Sequence, residues 1–419
     1  MSAEQNSSDT SAFRFSSLPR NVIALGLVSF FNDASSEIIY PLLPLFLTST
    51  LGASMAFVGL IEGIAESTSS LLKLPAGWFS DRLKRRKAIV VAGYGLASLV
   101  RPLLALVTAA WQVLGLRLVD RIGKGIRSSP RDAMIADAAP AGSRGLAFGF
   151  HRAMDHTGAI VGSLLSAGLV RVFQNNYRHV FRAATVPALV ALLILIFAVS
   201  ERRGPEASEE STQAAAAEKA AMTHPLAMFQ LSGFSPDFKK FLAILFLFTL
   251  TSSSDAFLLL RAQQSGISAA LIPLLWAALH VSKALSSIVG GGLSDRFGRR
   301  ALIIGGWVLY AAIYFGFAFA GTSAGMWALF TVYGVYFGCT EGVEKALVAD
   351  LVAAEQRGTA FGLYNLVIGV TALPASVTFG LLWQRFGAET ALISSALVSL
   401  IAAALLMKVN GEQKRLQTD

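Results

Sequence analysis

One turn occurs twice in this chain and constrains it more than any other feature. Gly77, Asp81, Arg82, Lys84, Arg85, Arg86 and Lys87 make a short basic turn, and in the other half of the sequence Gly291, Asp295, Arg296, Arg299 and Arg300 repeat it. Each copy closes one long apolar run and opens another, and a run of about 20 apolar residues spans a bilayer as a helix. Two copies of one turn signal two homologous halves. A second feature, Ala136 and Asp137 followed by Arg144, Gly145, Ala147, Phe148 and Gly149, returns at nearly the same offset as Ala349, Asp350, Arg357, Gly358, Ala360, Phe361 and Gly362. A third, Asn32-Asp33-Ala34, has its counterpart in Ser254-Asp255-Ala256.

The apolar runs give twelve spans, at 21–48, 54–79, 88–110, 112–137, 146–170, 180–199, 241–262, 268–293, 301–320, 325–350, 359–383 and 388–408. The chain is 54% hydrophobic and only 15% charged, and its mean hydropathy of +0.58 exceeds that of a water-soluble domain. A net charge of +9 would suit nucleic acid, but the basic residues sit in short loops between apolar runs, so no nucleic-acid partner is expected. The lipid bilayer is the partner. The turns at 49–54, 109–112 and 321–326 lack Lys and Arg, with the turn near 171–182 as an exception. Both termini are therefore expected in the cytoplasm. Residues 1–20 read as a disordered tail, 21–199 and 241–408 as six-helix bundles, 200–240 as a cytoplasmic linker and 409–419 as a second tail. The first apolar run carries acids and lacks a small-residue cleavage site, so it is not a signal peptide. A lone cysteine, Cys339, rules out an intrachain disulfide.

On these residues the chain resembles the major facilitator superfamily over roughly 20–408. The family's Gly-x-x-x-Asp-Arg-x-Gly-Arg-Arg turn is matched by Gly291, Asp295, Arg296, Gly298, Arg299 and Arg300, and by Gly77, Asp81, Arg82, Arg85 and Arg86 with Lys84 in place of the second glycine. Arg121, Lys124 and Gly125 fit its span-four signature loosely. Gly149, Gly158 and Gly162 have the spacing of the span-five glycines of exporting antiporters, with Ser163 where a proline is expected. Those glycines equally suit close helix packing. The resemblance implies an all-α membrane protein of two six-helix bundles around a central cavity. It also implies alternating access, a multi-pass location in a bacterial inner membrane, and a functional monomer. It implies a gate in which Asp81 meets Arg127 and Arg131, and Asp295 lies near Glu344 and Lys345.

Ionisable residues inside the spans carry the functional reading, because each is costly in hydrocarbon unless it meets water or a partner. Asp33 and Glu37 share one face of span one, and Glu62 and Glu66 one face of span two. Arg117, Arg121, Lys124, Arg127 and Arg131 form a basic stripe along span four, which Pro130 is expected to end. His151, Arg152, Asp155 and His156 lie in span five. Asp255, Arg261, His280, Lys283, Glu341, Glu344 and Lys345 lie in the second half. The stripe reads either as a salt-bridge lattice or as the cationic lining of a polar path. The cavity set is Glu62, Glu66, Arg117, Arg121, Lys124, Arg152, Asp255, Arg261 and Glu341.

No phosphate-binding loop is present, and one cysteine with five scattered histidines makes no zinc site, so neither ATP nor a metal or other cofactor is expected, and no enzyme. An ion gradient remains. A carboxylate sunk in a membrane can carry a proton, since burial disfavours its charged form. Asp33, beside Glu37 and ahead of Pro41 and Pro44, is the first candidate, and Asp155 with His151 and His156 the second; a fixed pair of Asp33 with Arg121 or Lys124 is the alternative. The partners are then protons and a small polar or anionic solute, of the organic-acid, siderophore, metal-chelate or phosphorylated class. Export, import by proton symport, multidrug efflux and a non-transporting sensor all stay open.

Overall fold

The computed structural model describes residues 18–83, 86–139, 144–200, 231, 233–252, 254–352 and 356–409. Most of the expected tails and linker lie outside the described residues. So do Arg85 and, at the level of side chains, Gly77, Asp81, Arg82, Gly291 and Asp295.

Twelve spans cross the molecule in two sets of six. The first set is Arg20–Thr50, Met55–Leu83, Arg86–Leu104, Ala110–Ala138, Arg144–Val172 and Tyr177–Ala198. Span seven is made of Pro236–Thr249 and Asp255–Gln264, followed by Ile272–Phe297, Arg299–Phe319 and Ser323–Leu351. Arg357–Leu406 turns back on itself at Gly387, whose φ of 87° suits only glycine well, and supplies the last two spans. Helices satisfy their own backbone polar groups, which hydrocarbon demands. By length and composition alone, six stretches among the described residues are apolar enough to cross a membrane. Spans four, five, eight and ten are 26 to 29 residues long but dilute their apolar residues with charged, glycine and serine positions. Leu99, Phe197, Phe319 and Ile401, on spans three, six, nine and twelve, stay exposed and form the surface that lipid would cover.

Spans one and seven are broken beside the cavity, and span six is interrupted at Ala184. Pro41 and Pro44 remove two helical donors from span one, which tightens into a 3-10 turn over Tyr40–Leu42 and widens into a π turn over Phe46–Thr50. Span seven stops at Thr249 and restarts at Asp255, with the Ser254 hydroxyl capping the new helix. Pro130, by contrast, does not end span four. The helix runs through it to Ala138, so a single missing donor is tolerated where packing holds both sides.

Glycines set the closest approaches. Within the first half, Gly158 and Gly162 of span five lie against the backbone of Phe30 and Ala34 in span one. Gly334 and Gly338 of span ten lie in the same way against Ser282 and Ser286 of span eight. Gly149 faces open space, so two of the three span-five glycines have a packing role. Between the halves, span two packs on span eleven and span five on span eight. Here Gly59 faces the Ser376 carbonyl, a Cβ on Gly63 would come within 2.9 Å of Leu373, and one on Gly380 within 2.6 Å of the Met55 carbonyl.

These contacts lie towards the end of the molecule opposite the chain termini. There one apolar core crosses both halves, with Phe257 against Phe379 and Trp383. At the terminal end the first bundle keeps its own core, of Leu18, Val22, Tyr94, Ile135 and Leu195 among others. The cleft between the bundles is therefore sealed at one end and opens towards the termini. The duplication is also visible as an ion pair: Arg86 meets Asp137, and at the equivalent positions of the second half Arg299 meets Asp350 at 2.5 Å.

The seal can be tested by overfilling it. Gly59→Val should disfavour the closed interface by about 1–3 kcal/mol. A cysteine at Ser376, in a Cys339→Ser background, should then react with an impermeant maleimide applied at the sealed end, while the Gly59 parent stays protected. Equal protection in both would place the seal elsewhere.

Candidate solute cavity

A cavity of about 360 Å³ lies between the bundles. That volume suits a small solute. Its walls are Asp33, Ser36, Glu37, Ile39 and Tyr40 of span one, Glu66 of span two, Val100, Arg101 and Leu104 of span three, and Arg117, Asp120, Arg121, Lys124 and Arg127 of span four. The second half contributes Asp255, Trp276 and Lys283.

Span four turns its charges to several different partners rather than forming one stripe. Arg117, 7% exposed, donates through Nη2 to both oxygens of Glu62, at 3.0 and 3.2 Å, and lies over the ring of Tyr40. Asp120 sits 3.9 Å from Arg117 and 3.7 Å from Arg121. Arg127 is buried over the ring of Tyr94, 4.3 Å from its centre. Arg131 donates to Asp132 at 3.0 Å and to Ser29 at 3.3 Å. Arg127 and Arg131 were expected at the gate. The side chain of Asp81, their expected partner, lies outside the described residues; both guanidinium groups reach into the first bundle, Arg127 also lining the cavity.

Arg101, alone in the apolar span three, is only 3% exposed. Its Nη2 donates to the Asn32 side-chain oxygen at 2.8 Å, the Asn32 carbonyl at 3.2 Å and the Ser36 hydroxyl at 2.9 Å. Three guanidinium nitrogens around the cavity, Arg101 Nη1, Arg117 Nε and Arg121 Nε, are buried with no acceptor among the described residues. Leaving a buried donor unmade costs about 1–3 kcal/mol, and more when it is charged.

Asp33 has no cationic partner within 4.0 Å among the described residues; it accepts from the Asn32 amide at 2.9 Å. The fixed pair with Arg121 or Lys124 is therefore not formed. Glu37 accepts from the Trp276 indole at 2.7 Å, a bond between the two halves, and Ser254 reaches Glu62 at 3.4 Å across the same gap. Glu66 accepts from Ser70 at 3.1 Å and is exposed to the cavity, as is Lys124. Beside this wall, His151 bonds Ser29 at 2.8 Å through Nε2 and faces Asp155 at 3.5 Å through Nδ1.

Behind Asp255 the second bundle holds a cluster of buried aromatic rings. Tyr333 donates to Asp255 at 2.9 Å and stacks on Tyr336, while Tyr310 stacks on Tyr314. Lys283 pairs with Glu341 at 3.5 Å and lies 3.8 Å from the centre of the Phe337 ring. Arg152, Glu341 and Lys345 are exposed on the open side of the cleft, and Arg296 is exposed at the terminal end.

Two expected residues belong elsewhere. Arg261 does not line the cavity: it donates to the carbonyls of Phe317 and Ala318, at 3.0 and 2.7 Å, and so caps the end of span nine. Glu344, expected near Asp295, whose side chain lies outside the described residues, does not line the cavity either. It is buried inside the second bundle and accepts from Trp307 at 3.1 Å and Tyr364 at 2.9 Å. Arg299 lies at the terminal end and, besides Asp350, donates to the Ala346 carbonyl. Sequence reasoning missed Arg101, Tyr40 and Trp276. A lone arginine within an otherwise apolar span was the available signal for the first, whereas nothing in the sequence marks the other two.

Comparison with known proteins adds the family. The family description Major Facilitator Superfamily matches residues 25–279 and 241–419. An uncharacterized MFS-type transporter of Methanocaldococcus jannaschii is 33% identical over 396 residues, which cover 93% of this chain and 95% of that one. A homolog of the multi-drug resistance efflux pump PmrA in Lactococcus lactis is 27% identical over 309 residues, 72% of each chain. Among solved structures, a bacterial homolog of the human lysosomal transporter Spinster, in an inward-facing and occupied conformation, superposes with a TM-score of 0.73 at 16% identity, covering 92% of this chain and 95% of that one. With a duplicated six-span fold around one charged cavity, this chain belongs to the major facilitator superfamily and is a multi-pass secondary transporter of the membrane.

Proposed function

We propose that the protein exports a small polar or anionic solute in exchange for protons, by alternating access through the cavity between its halves. The observation that carries this reading is the cavity wall itself. Acids and bases face one another there at mid-membrane, and several of them lack a partner, which only a wet path or a charged cargo makes tolerable. A purely structural lattice would pair them. A non-transporting sensor would have no use for a cleft that is sealed at one end and open at the other.

Among the described residues, Arg86, Lys87, Arg299, Arg300 and Lys408 lie at the terminal end, together with Lys239 and Lys240, against Arg171, Arg178, Arg182 and Arg385 at the other. That favours cytoplasmic termini and an inward-open state. Asp33 is the proposed proton carrier, because it lines the cavity and no cation among the described residues lies within 4.0 Å of it. One pH unit supplies about 1.4 kcal/mol and a membrane potential of 100 mV about 2.3 kcal/mol per charge. One proton then moves one solute uphill. The second reading, efflux of aromatic or lipophilic compounds, has Tyr40 and Trp276 in the cavity wall in its favour, together with the lactococcal relative named as a multi-drug pump.

Asp33→Asn in proteoliposomes should lose accumulation driven by an imposed pH gradient while solute–solute exchange across the membrane persists. Unchanged proton dependence would remove Asp33 from the role. In everted vesicles acidified inside, addition of a transported solute should dissipate the pH gradient and the solute should concentrate in the lumen. Solute entering only right-side-out vesicles, together with protons, would reverse the direction to import.

A further inference from the structure

The geometry points to an oxyanion subsite built by Arg101, Arg117 and Arg121 around Asp120, which takes the carboxylate or phosphate group of the solute. This rests on the reading of the cavity as the transport path and narrows its cargo to one chemical class.

The argument starts from what each guanidinium already holds. Arg101 spends Nη2 on Asn32 and Ser36, and its Nη1 is left over. Arg117 spends Nη2 on both oxygens of Glu62, and its Nε is left over. Arg121 has only Asp120 near its Nε, at 3.7 Å, which is beyond hydrogen-bond reach. Arg101 and Arg117 are 3% and 7% exposed, so bulk water does not serve them. All three, and Asp120, line the same cavity.

Nor can the acids of the wall supply what is missing. Asp120 is one carboxylate, 3.9 Å from Arg117 and 3.7 Å from Arg121. Glu37 is engaged by Trp276 across the cavity, Glu66 by Ser70, Asp255 by Tyr333 and Asp33 by Asn32, and none of them hydrogen-bonds the leftover nitrogens. Planar guanidinium donors match a planar carboxylate or a phosphate face, whereas an ammonium or a neutral hydroxyl would leave most of them unmade. Asn32 and Ser36 hold the Arg101 fork in place, so the subsite is pre-organised rather than assembled by the solute.

The test uses the full-length protein purified in detergent, with its thermal unfolding followed at constant ionic strength. Sodium succinate and inorganic phosphate are the probes and sodium chloride the control. A saturable rise in Tm with succinate alone assigns a carboxylate group, and with phosphate alone a phosphoryl group. A rise equal to that of chloride overturns the subsite. Arg101→Lys keeps the charge but loses the fork. It should weaken the effective probe by about tenfold to a hundredfold, the equivalent of one charged hydrogen bond.

Asp120→Asn removes the internal competitor and should tighten the same probe. A merely structural role would lower the Tm of both variants without moving the two affinities in opposite directions. Equal affinity in Arg101→Lys and the parent also overturns the proposal. Binding is read without flux, so a protein that transports but ignores both anions loses the subsite alone. One that binds them and moves nothing loses the transport reading.

Discussion

A guanidinium carried into hydrocarbon must find an anion or water, and the first half of this chain carries five of them in spans three and four. The pair of Arg117 with Glu62 is the central response, joining spans four and two with both residues buried. Removing one member of such a pair leaves an uncompensated charge, at a cost of about 3–5 kcal/mol. The arrangement of the spans follows from this need. Spans one, two, four and five turn their charged faces to one another and to the cleft, and the apolar spans three and six present Leu99 and Phe197 outward. The cavity is what remains when these charged faces have to meet without being able to neutralise one another completely.

The second half has the same backbone plan and a different chemistry. In the register that sets Asp350 against Asp137, the positions of Arg117, Asp120, Lys124 and Arg131 are taken by Phe330, Tyr333, Phe337 and Glu344. The Arg86–Asp137 pair is kept as Arg299–Asp350, and the close contact of Gly125 in span four with span two is kept as that of Gly338 in span ten with span eight. Duplication therefore preserved contacts that hold a bundle together while the chemistry along the helix changed. Span four brings its charges to the cavity, whereas span ten buries Phe330, Tyr333 and Tyr336 in the second bundle, with Tyr333 bonding Asp255 of the cavity wall.

The fold was legible because a bilayer leaves few choices. The length of the apolar runs, the repeated basic turn and the Asp33 and Asp255 correspondence are enough to give twelve spans in two halves. The site was legible only in part. A helical wheel shows which residues share a face, but not what that face meets. It grouped Arg131 with Arg117, yet the first turns to Asp132 and Ser29 while the second lines the cavity. Arg261 and Glu344 are intramembrane charges like the others. One finds free carbonyls at a helix end and the other an indole and a phenol, which are neighbours supplied by distant segments. Arg101 stood alone in an apolar run, and its importance comes from Asn32 and Ser36 two spans away. Pro130 shows the same limit for the backbone, since the local rule predicts a helix end and packing carries the helix on to Ala138.

The cavity and the seal share atoms, and this ties binding to movement. Glu37 lines the cavity and also holds Trp276 of the other half, while Glu62 neutralises Arg117 and also receives Ser254. Both bonds cross between the halves close to the glycine contacts that close the far end. Opening that end has to break them, and each carboxylate released must then be satisfied by water, by a proton or by a neighbouring cation. The breaks at Pro41 and Pro44, and between Thr249 and Asp255, lie beside these bonds, where a helix gives way most easily. A change of charge in the cavity thus alters the balance of the contacts that keep the two halves together, with no separate relay needed between site and gate.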